Sequence, residues 1–297
     1  MYNQIDSNKR RTVILIIVFI VFISLLGYLI GYVTDYGNGA LVIALIISLV
    51  MALLGYYSGD KVALLSSGAV AIKKEDNPYI YRMVENLCIT AGTPTPAVYV
   101  IPSPAINAFA TGRDPKHSSI AVTQGAIEKL ENEELEGVIA HELSHIKNYD
   151  IRLMTIVVVL VGTISILTNI FWRASLFGGG RKSDSEDKSG LGTILMIAGI
   201  ILIILSPIIA ALIQLAVSRR REYLADASAS LLTRYPEGLA RALEKIKNDS
   251  GVLTTANSGT AHLYISNPFK GGKNFLANAF STHPPIDDRI AKLREMA

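Results

Sequence analysis

The stretch His141-Glu142-Leu143-Ser144-His145, preceded by the apolar run Gly137-Val138-Ile139-Ala140, decides how the rest of this chain is read. In a helix, residues four apart share a face, so His141 and His145 present two imidazoles to one point, with Glu142 one residue further round. Two neutral imidazoles suit zinc. A carboxylate beside an activated water can take its proton, and that combination is the working core of a metallopeptidase. Histidine is scarce here, five in 297 residues, so two at this spacing carry weight against the competing picture of a polar stripe on a surface helix.

Half of the residues are hydrophobic and only 18% are charged, which argues against a purely soluble protein. The single cysteine, Cys88, excludes an intramolecular disulfide framework and a multi-cysteine zinc site. A net charge of +3, with no arginine-rich or aromatic-interleaved patch, excludes a nucleic-acid partner. The basic residues instead flank the apolar segments.

Four uncharged runs, residues 12–33, 40–57, 153–172 and 191–217, are each close to the roughly 20 residues that cross a bilayer as a helix. The first is too long for a signal-peptide core and has no small-residue cleavage pattern, so it reads as an anchor. Lys9, Arg10 and Arg11 precede the first span, Lys61, Lys73 and Lys74 follow the second, Lys147 and Arg152 precede the third, and Arg219, Arg220 and Arg221 follow the fourth. With four spans these all fall on one side, which places both termini and the His-Glu-x-x-His segment in the cytoplasm. The basic residues of the linker 173–190 object only weakly, because acidic residues accompany them and its Gly and Ser content reads as flexible. No ionisable residue lies inside a span, so a transporter or proton pump is disfavoured.

Between and after the spans lie two soluble blocks, 60–150 and 218–297. Asn77-Pro78-Tyr79 caps an amphipathic helix reaching Ala91. Ala97-Val98-Tyr99-Val100-Ile101 is a short strand. Residues 107–111 and 119–123 read as a hairpin turning through Gly112-Arg113-Asp114-Pro115, then residues 125–130 as a short helix. Asn132 is the expected N-cap of the motif helix, with Glu133 and Glu134 in its first turn. The hairpin has two readings of equal standing: an exposed edge that holds substrate by main-chain hydrogen bonds, or packing against the helix.

A catalytic zinc takes three protein ligands and leaves one position for water. His117 reads as solvated and His262 belongs to no pattern. His283, in Thr282-His283-Pro284-Pro285, is a candidate, and Glu222, in Arg221-Glu222-Tyr223-Leu224-Ala225-Asp226, is the stronger one. A continuous helix from His145 reaches the third span in about 12 Å, and a helix prolonging the fourth carries Glu222 about 7.5 Å beyond it. Both arrive on one membrane face. Asp226 follows Glu222 on the same helical face, where it can orient a ligand histidine. An ordinary exposed charged face beside residues 219–221 is the alternative for both.

These residues resemble the HtpX-type membrane zinc metalloproteases, relatives of the CAAX prenyl proteases. The resemblance rests on Asn107-Ala108-Phe109-Ala110-Thr111-Gly112, Ala121-Val122-Thr123-Gln124-Gly125, and Ala140 through Ile146 with Asn148 and Asp150. It closes on Ser218 through Asp226 and on Thr282-His283-Pro284-Pro285-Ile286-Asp287-Asp288-Arg289, so it covers nearly the whole chain. It implies one Zn2+ per chain held by His141, His145 and Glu222, with Glu142 as general base. It also implies that Asn107, Ala108 and Phe109 line the substrate cleft, and that the substrates are damaged or misassembled membrane proteins.

The expected fold is therefore α+β and mainly helical: four transmembrane helices with a gluzincin-like zinc metallopeptidase domain containing a small β-hairpin or sheet. A membrane hairpin (1–59) is followed by the first part of the catalytic domain (60–150), a second membrane hairpin (151–217) and the second part (218–297). The expected function is a zinc endopeptidase of membrane-protein quality control and stress response, multi-pass in a bacterial cell membrane. Its partners are protein substrates and the lipid bilayer. His283, placed by Pro284-Pro285 and supported by Arg289, has three open readings: oxyanion stabiliser, a fourth ligand that keeps the enzyme latent, or a helix cap. Two alternatives stand beside this function. One is a prenyl-peptide-processing protease, for which four spans leave little room for a chamber; the other is a non-enzymatic scaffold around a structural zinc.

Overall fold

Apolar length sets the outer layer of the architecture. The structure, a computed structural model, describes residues 2–33, 37–178, 218–257, 259–269 and 284–296. The first apolar run lies in helix α1 (Tyr2–Val33), the second in α2 (Asn38–Ser66) and the third in a later helix, Asp150–Gly178, called α6. Among the described residues three stretches are long and apolar enough to cross a membrane: Ile5–Leu29, Asn38–Ser66 and Asp150–Leu167. The expected fourth span, 191–217, lies outside the described residues. Val13, Ile17 and Val21 on α1, and Ile43, Ile46 and Leu53 on α2, face outward, where only hydrocarbon accommodates such a surface. The third stretch differs: 72% of it is buried within the protein.

That burial has a local cause. Gly55 and Gly59 repeat at four-residue spacing on α2 and let it close on α6; a Cβ on Gly59 would sit 2.8 Å from Thr155 Cγ2. The close approach fixes Thr155, whose hydroxyl pairs with Thr111 Oγ1 at 2.8 Å and accepts from the Gly112 N–H at 3.0 Å. The membrane layer is thereby stitched to the sheet beneath it.

The soluble layer follows in chain order: β1 (Val70–Ala71), α3 (Pro78–Ala91), β2 (Ala97–Ile101), β3 (Ala108–Asp114), β4 (His117–Thr123), α4 (Gln124–Lys129) and α5 (Asn132–Lys147). After α6 come α7 (Arg219–Thr233), α8 (Pro236–Asn248) and α9 (Ile286–Arg294). The sheet order is β1-β2-β4-β3, with β2 and β4 parallel and the other pairs antiparallel, so β3 is an edge strand beside the motif helix. The hairpin is longer than its sequence suggested. Gly112, Arg113 and Asp114 belong to β3, and the ladder ends on the pair Asp114–His117 after a bulge, leaving Pro115-Lys116 as the turn. Gly112 carries that bulge with φ at +137°.

Three further expectations are corrected. The N-cap of α5 is Glu131 rather than Asn132, because the Glu134 carboxylate turns back and accepts from the Glu131 N–H at 2.8 Å. The motif helix does not run on into the third span: α5 stops at Lys147, and Tyr149, at φ 59°, turns the chain before α6 begins at Asp150. Glu222 is not on a helix prolonged from the preceding segment either, since Ser218 is extended and α7 starts afresh at Arg219. Asn77 does cap α3, accepting from the Ile80 N–H.

One apolar core joins α3, β2–β4 and α5 to α7, α8 and α9, mixing Ile80, Val138 and Leu143 with Ala229, Leu243 and Leu293. The two soluble blocks therefore share one interior around α5, which is buried along nearly its whole length. A second cluster lies among α1, α2 and α6, and a third, with Phe109, Met154 and Tyr264, fills the seam between membrane and sheet layers.

Replacing Gly59 by leucine overpacks the α2–α6 seam and should cost on the order of 1–3 kcal/mol, read as a lower melting temperature in detergent. Gly162→Ala, where the added carbon meets nothing within 4 Å, should melt with the parent. If Gly59→Leu melts there too, close packing at Gly59 is not what holds the seam.

Candidate metal centre

Helix α5 delivers His141 and His145 on one face, as the four-residue spacing requires, and α7 brings Glu222 against them. The Nε2 atoms of the two histidines lie 3.2 Å apart. Glu222 Oε1 is 3.6 Å from His145 Nε2, and its Oε2 is 3.8 Å from His141 Nε2. The three side chains form a group whose ligand atoms all fall within 4.8 Å of one another. All three are buried. Tetrahedral bonds of about 2.0–2.1 Å put neighbouring ligand atoms about 3.3 Å apart, so the spacing suits zinc.

The far nitrogens explain why the near ones converge. His141 Nδ1 lies 2.9 Å from Asp226 Oδ1, and His145 Nδ1 lies 3.0 Å from Asp150 Oδ2. A carboxylate at Nδ1 holds the proton there and leaves the Nε2 lone pair free. Two lone pairs facing each other beside a carboxylate repel unless a cation or a proton lies between them. Electrostatics records this tension. Burial works against a charged His145, but Asp150, Glu222 and Glu142 outweigh it and push its pKa up to about 9. Burial lowers the pKa of His141, and Arg289 and His145 add to that against the opposing pull of Asp226. The donor set thus fits a divalent metal.

Asp226 sits four residues after Glu222 and reaches His141. It is also gripped by Arg289 from α9, whose Nε donates to Oδ2 at 2.9 Å and Nη2 to Oδ1 at 2.7 Å. Burial alone would raise the Asp226 pKa, yet Arg289 and His141 hold it below the ordinary value. Arg289 Nη1 also donates to the Ile265 carbonyl at 3.0 Å and lies 3.7 Å from Glu222.

Glu142 has a different environment. Among the described residues neither of its buried oxygens closes a hydrogen bond of ordinary geometry, though the Ala110 amide bears on them. Burial raises its pKa to about 7; His145 opposes this, Glu222 adds to it, and the Ala110 amide and Arg289 pull weakly downward. A buried carboxyl group balanced near neutrality suits proton transfer.

The remaining candidates separate cleanly. Ala108 and Phe109 lie on β3 and Asn107 immediately precedes it; all three are buried: Asn107 donates to the Ser266 carbonyl, the Ala108 carbonyl accepts from the Ile265 N–H, and Phe109 stacks edge-on to Tyr264. His117 is exposed and pairs with Asp114. His262 is buried with Nε2 2.9 Å from the Met154 carbonyl. His283 lies outside the described residues. Sequence reasoning gave no role to Asp150, although an acidic residue at the mouth of an apolar span was a signal worth following. It gave none to Asn8 either, which donates to Asp150 Oδ1 at 2.6 Å. No local signal marks Asn8, because its partner is remote in sequence.

The model of the family described as Peptidase family M48 matches residues 74–297. A protein named Protease HtpX homolog from Dictyoglomus thermophilum is 45% identical over 295 residues, covering 99% of this chain and 94% of that one. A namesake from Caldanaerobacter subterraneus subsp. tengcongensis is 42% identical over 296 residues, covering 100% and 98%. A solved structure, Ste24p of S. mikatae, overlays with a TM-score of 0.49 at 20% identity, covering 99% of this chain and 67% of that one.

Removing one member of the Asp226–Arg289 pair strands a buried charge. Arg289→Met should therefore destabilise the fold by about 3–5 kcal/mol, whereas Asp226→Asn combined with Arg289→Met should lose less than the sum of the two single variants. Denaturant melts of the four proteins check this; simple additivity would mean that the pair is not coupled.

Proposed function

The chain belongs to peptidase family M48 and is a membrane metalloprotease; from that premise we propose that its metal is zinc, held by His141, His145 and Glu222, and that it is an endopeptidase acting on membrane proteins. The observation that carries the reading is the pairing of converged Nε2 atoms with a buried, near-neutral Glu142 beside them. A purely structural metal site has no use for such a carboxylate.

Bound zinc supplies a Lewis acid that polarises the scissile carbonyl and acidifies the attacking water. Glu142 takes that water's proton and passes it to the leaving amine, a transfer its pKa of about 7 suits in either direction. Asp226 and Asp150 hold the histidine Nδ1 protons and keep the imidazoles aimed. Arg289 fixes Asp226 and adds positive charge at the edge of the site. Residues 60–150 and 218–297 act as one catalytic domain interrupted by membrane helices, a reading supported by their shared core.

The substrate class is argued from position. Asp150, which touches His145, is also the first residue of the membrane-length stretch Asp150–Leu167. The reaction centre thus lies at the bilayer surface, suited to chains that leave it misfolded or damaged, the task of a stress-linked quality-control protease. The basic flanks support a reading in which this face and both termini are cytoplasmic in a bacterium, with 191–217 crossing as the fourth span and 173–190 opposite.

Glu142→Gln should retain its zinc but cleave an unfolded substrate such as casein at least about 100-fold more slowly than the parent. Equal rates at equal zinc content would end the proposed mechanism. A protease-sensitive tag inserted within 173–190 should be cut only from the extracytoplasmic side of sealed vesicles; cutting from the cytoplasmic side would overturn the topology.

A further inference from the structure

We propose that Asn8, on the first membrane helix, is a positioning residue of the metal site, acting on the ligand His145 through Asp150. The inference rests on the metal reading above and extends it to a part of the chain that the family match, residues 74–297, does not reach.

Asn8 is 2% exposed although it lies on a helix with an outward apolar face. Its Nδ2 donates to Asp150 Oδ1 at 2.6 Å and to the Asn148 carbonyl at 3.0 Å. Its Oδ1 accepts from Arg221 Nη1 at 3.3 Å. One orientation of the carboxamide satisfies all three bonds, and this group alone combines two donors on one atom with an acceptor on the next. The other oxygen of Asp150 meets His145 Nδ1 at 3.0 Å. Arg221 Nε also lies 3.8 Å from Asp150 Oδ1, so Asn8 completes a cluster that links Arg221 and Asp150 to the imidazole.

The three contacts fall where the site needs restraint. Asn148 and Tyr149 form the turn between α5 and α6, and Tyr149 holds an unfavourable left-handed conformation there. Asn8 pins the carbonyl entering that turn and the carboxylate leaving it, which sets the distance from Asp150 to His145. Arg221 immediately precedes Glu222, and its guanidinium, held by the Asn8 oxygen, stays beside Asp150. Packing α1 against α6 needs only apolar contacts, which Leu15, Phe19 and Ile23 supply further along. The buried amide is superfluous to that packing and matched to the site.

The test uses the full-length protein in detergent, with zinc affinity measured by competition against a chelating dye and with the absorption spectrum of the cobalt-substituted protein. Asn8→Ala should weaken zinc binding by about 10- to 100-fold and alter the cobalt bands, while Arg10→Ala, at an exposed position two residues on, leaves both unchanged. Because Asn8 acts through Asp150, Asn8→Ala combined with Asp150→Asn should bind zinc no more weakly than Asp150→Asn alone. Unchanged affinity in a folded Asn8→Ala protein overturns the proposal, as does multiplication of the two losses. Should Asn8→Ala fail to fold, the isosteric Asn8→Asp, which replaces the donor by a second acceptor, takes its place under the same criteria. Failure of both to fold would assign Asn8 to folding alone and overturn the proposal too. A parent protein that holds no zinc would fail the metal reading itself; a parent that holds zinc, with unaffected Asn8 variants, would fail only this one.

Discussion

Two imidazole nitrogens held 3.2 Å apart in a buried site are the constraint on which the rest of the molecule depends. Around them the protein buries four carboxylates, Glu142, Asp150, Glu222 and Asp226, and two guanidinium groups, Arg221 and Arg289. With neutral histidines and ionised carboxylates the cluster carries a net charge of −2. Uncompensated charge in a poorly solvated interior is costly, so something must neutralise it. A divalent cation does so completely. Without one, protons are the available substitute, and the raised affinities of His145 and Glu142 have the sense expected for that. Metal binding then exchanges protons for an ion, which ties affinity to pH as in any site whose ligands must be deprotonated.

The fold serves this charge balance by bringing remote segments to one point. Helix α5 runs through the middle of the soluble core and carries both histidines, α7 returns with Glu222 and Asp226, and α9 inserts Arg289 behind them. The break at Tyr149 is as important as the helices. A helix continuing past Lys147 would have carried Asp150 round the axis; the turn brings its carboxylate back to His145 while starting the membrane-length helix α6. One residue therefore serves both as the partner of His145 and as the first residue of a stretch long and apolar enough to cross a membrane.

What the sequence made legible was local in origin. The pairing of His141 with His145, and of Glu222 with Asp226, follows from helical periodicity alone, and apolar length announced α1, α2 and α6. The Asn77 cap and the strand at Ala97–Ile101 were readable from short-range turn and strand chemistry. What stayed hidden depends on partners far away or on choices between near-equal neighbours. Glu131 takes the cap from Asn132 because the Glu134 side chain can return to its N–H. The hairpin extends to Asp114 because a bulge at Gly112 lets pairing continue past the glycine. Whether the helix would stop at Lys147 could not be inferred from propensity, since Asn148 and Tyr149 are both tolerated within helices.

The distribution of the site over the chain carries a consequence for assembly. The donor from Asn8 to Asp150 forms only once α1 has packed on α6, and Thr155 reaches β3 only where α2 lies close enough at Gly59. Both restraints bear on elements that flank the histidines, β3 on one side and the α5–α6 turn on the other. A soluble block folded without its membrane helices would still have the zinc-motif helix and its apolar core. It would lack the partner of Asp150 and the hydroxyl bonded to Gly112. Its charge cluster would face the same need for neutralisation with looser geometry, and loosened ligands bind metal less tightly. Joining the turn after His145 to the apolar helices therefore makes full order at the candidate metal site depend on those helices already being packed.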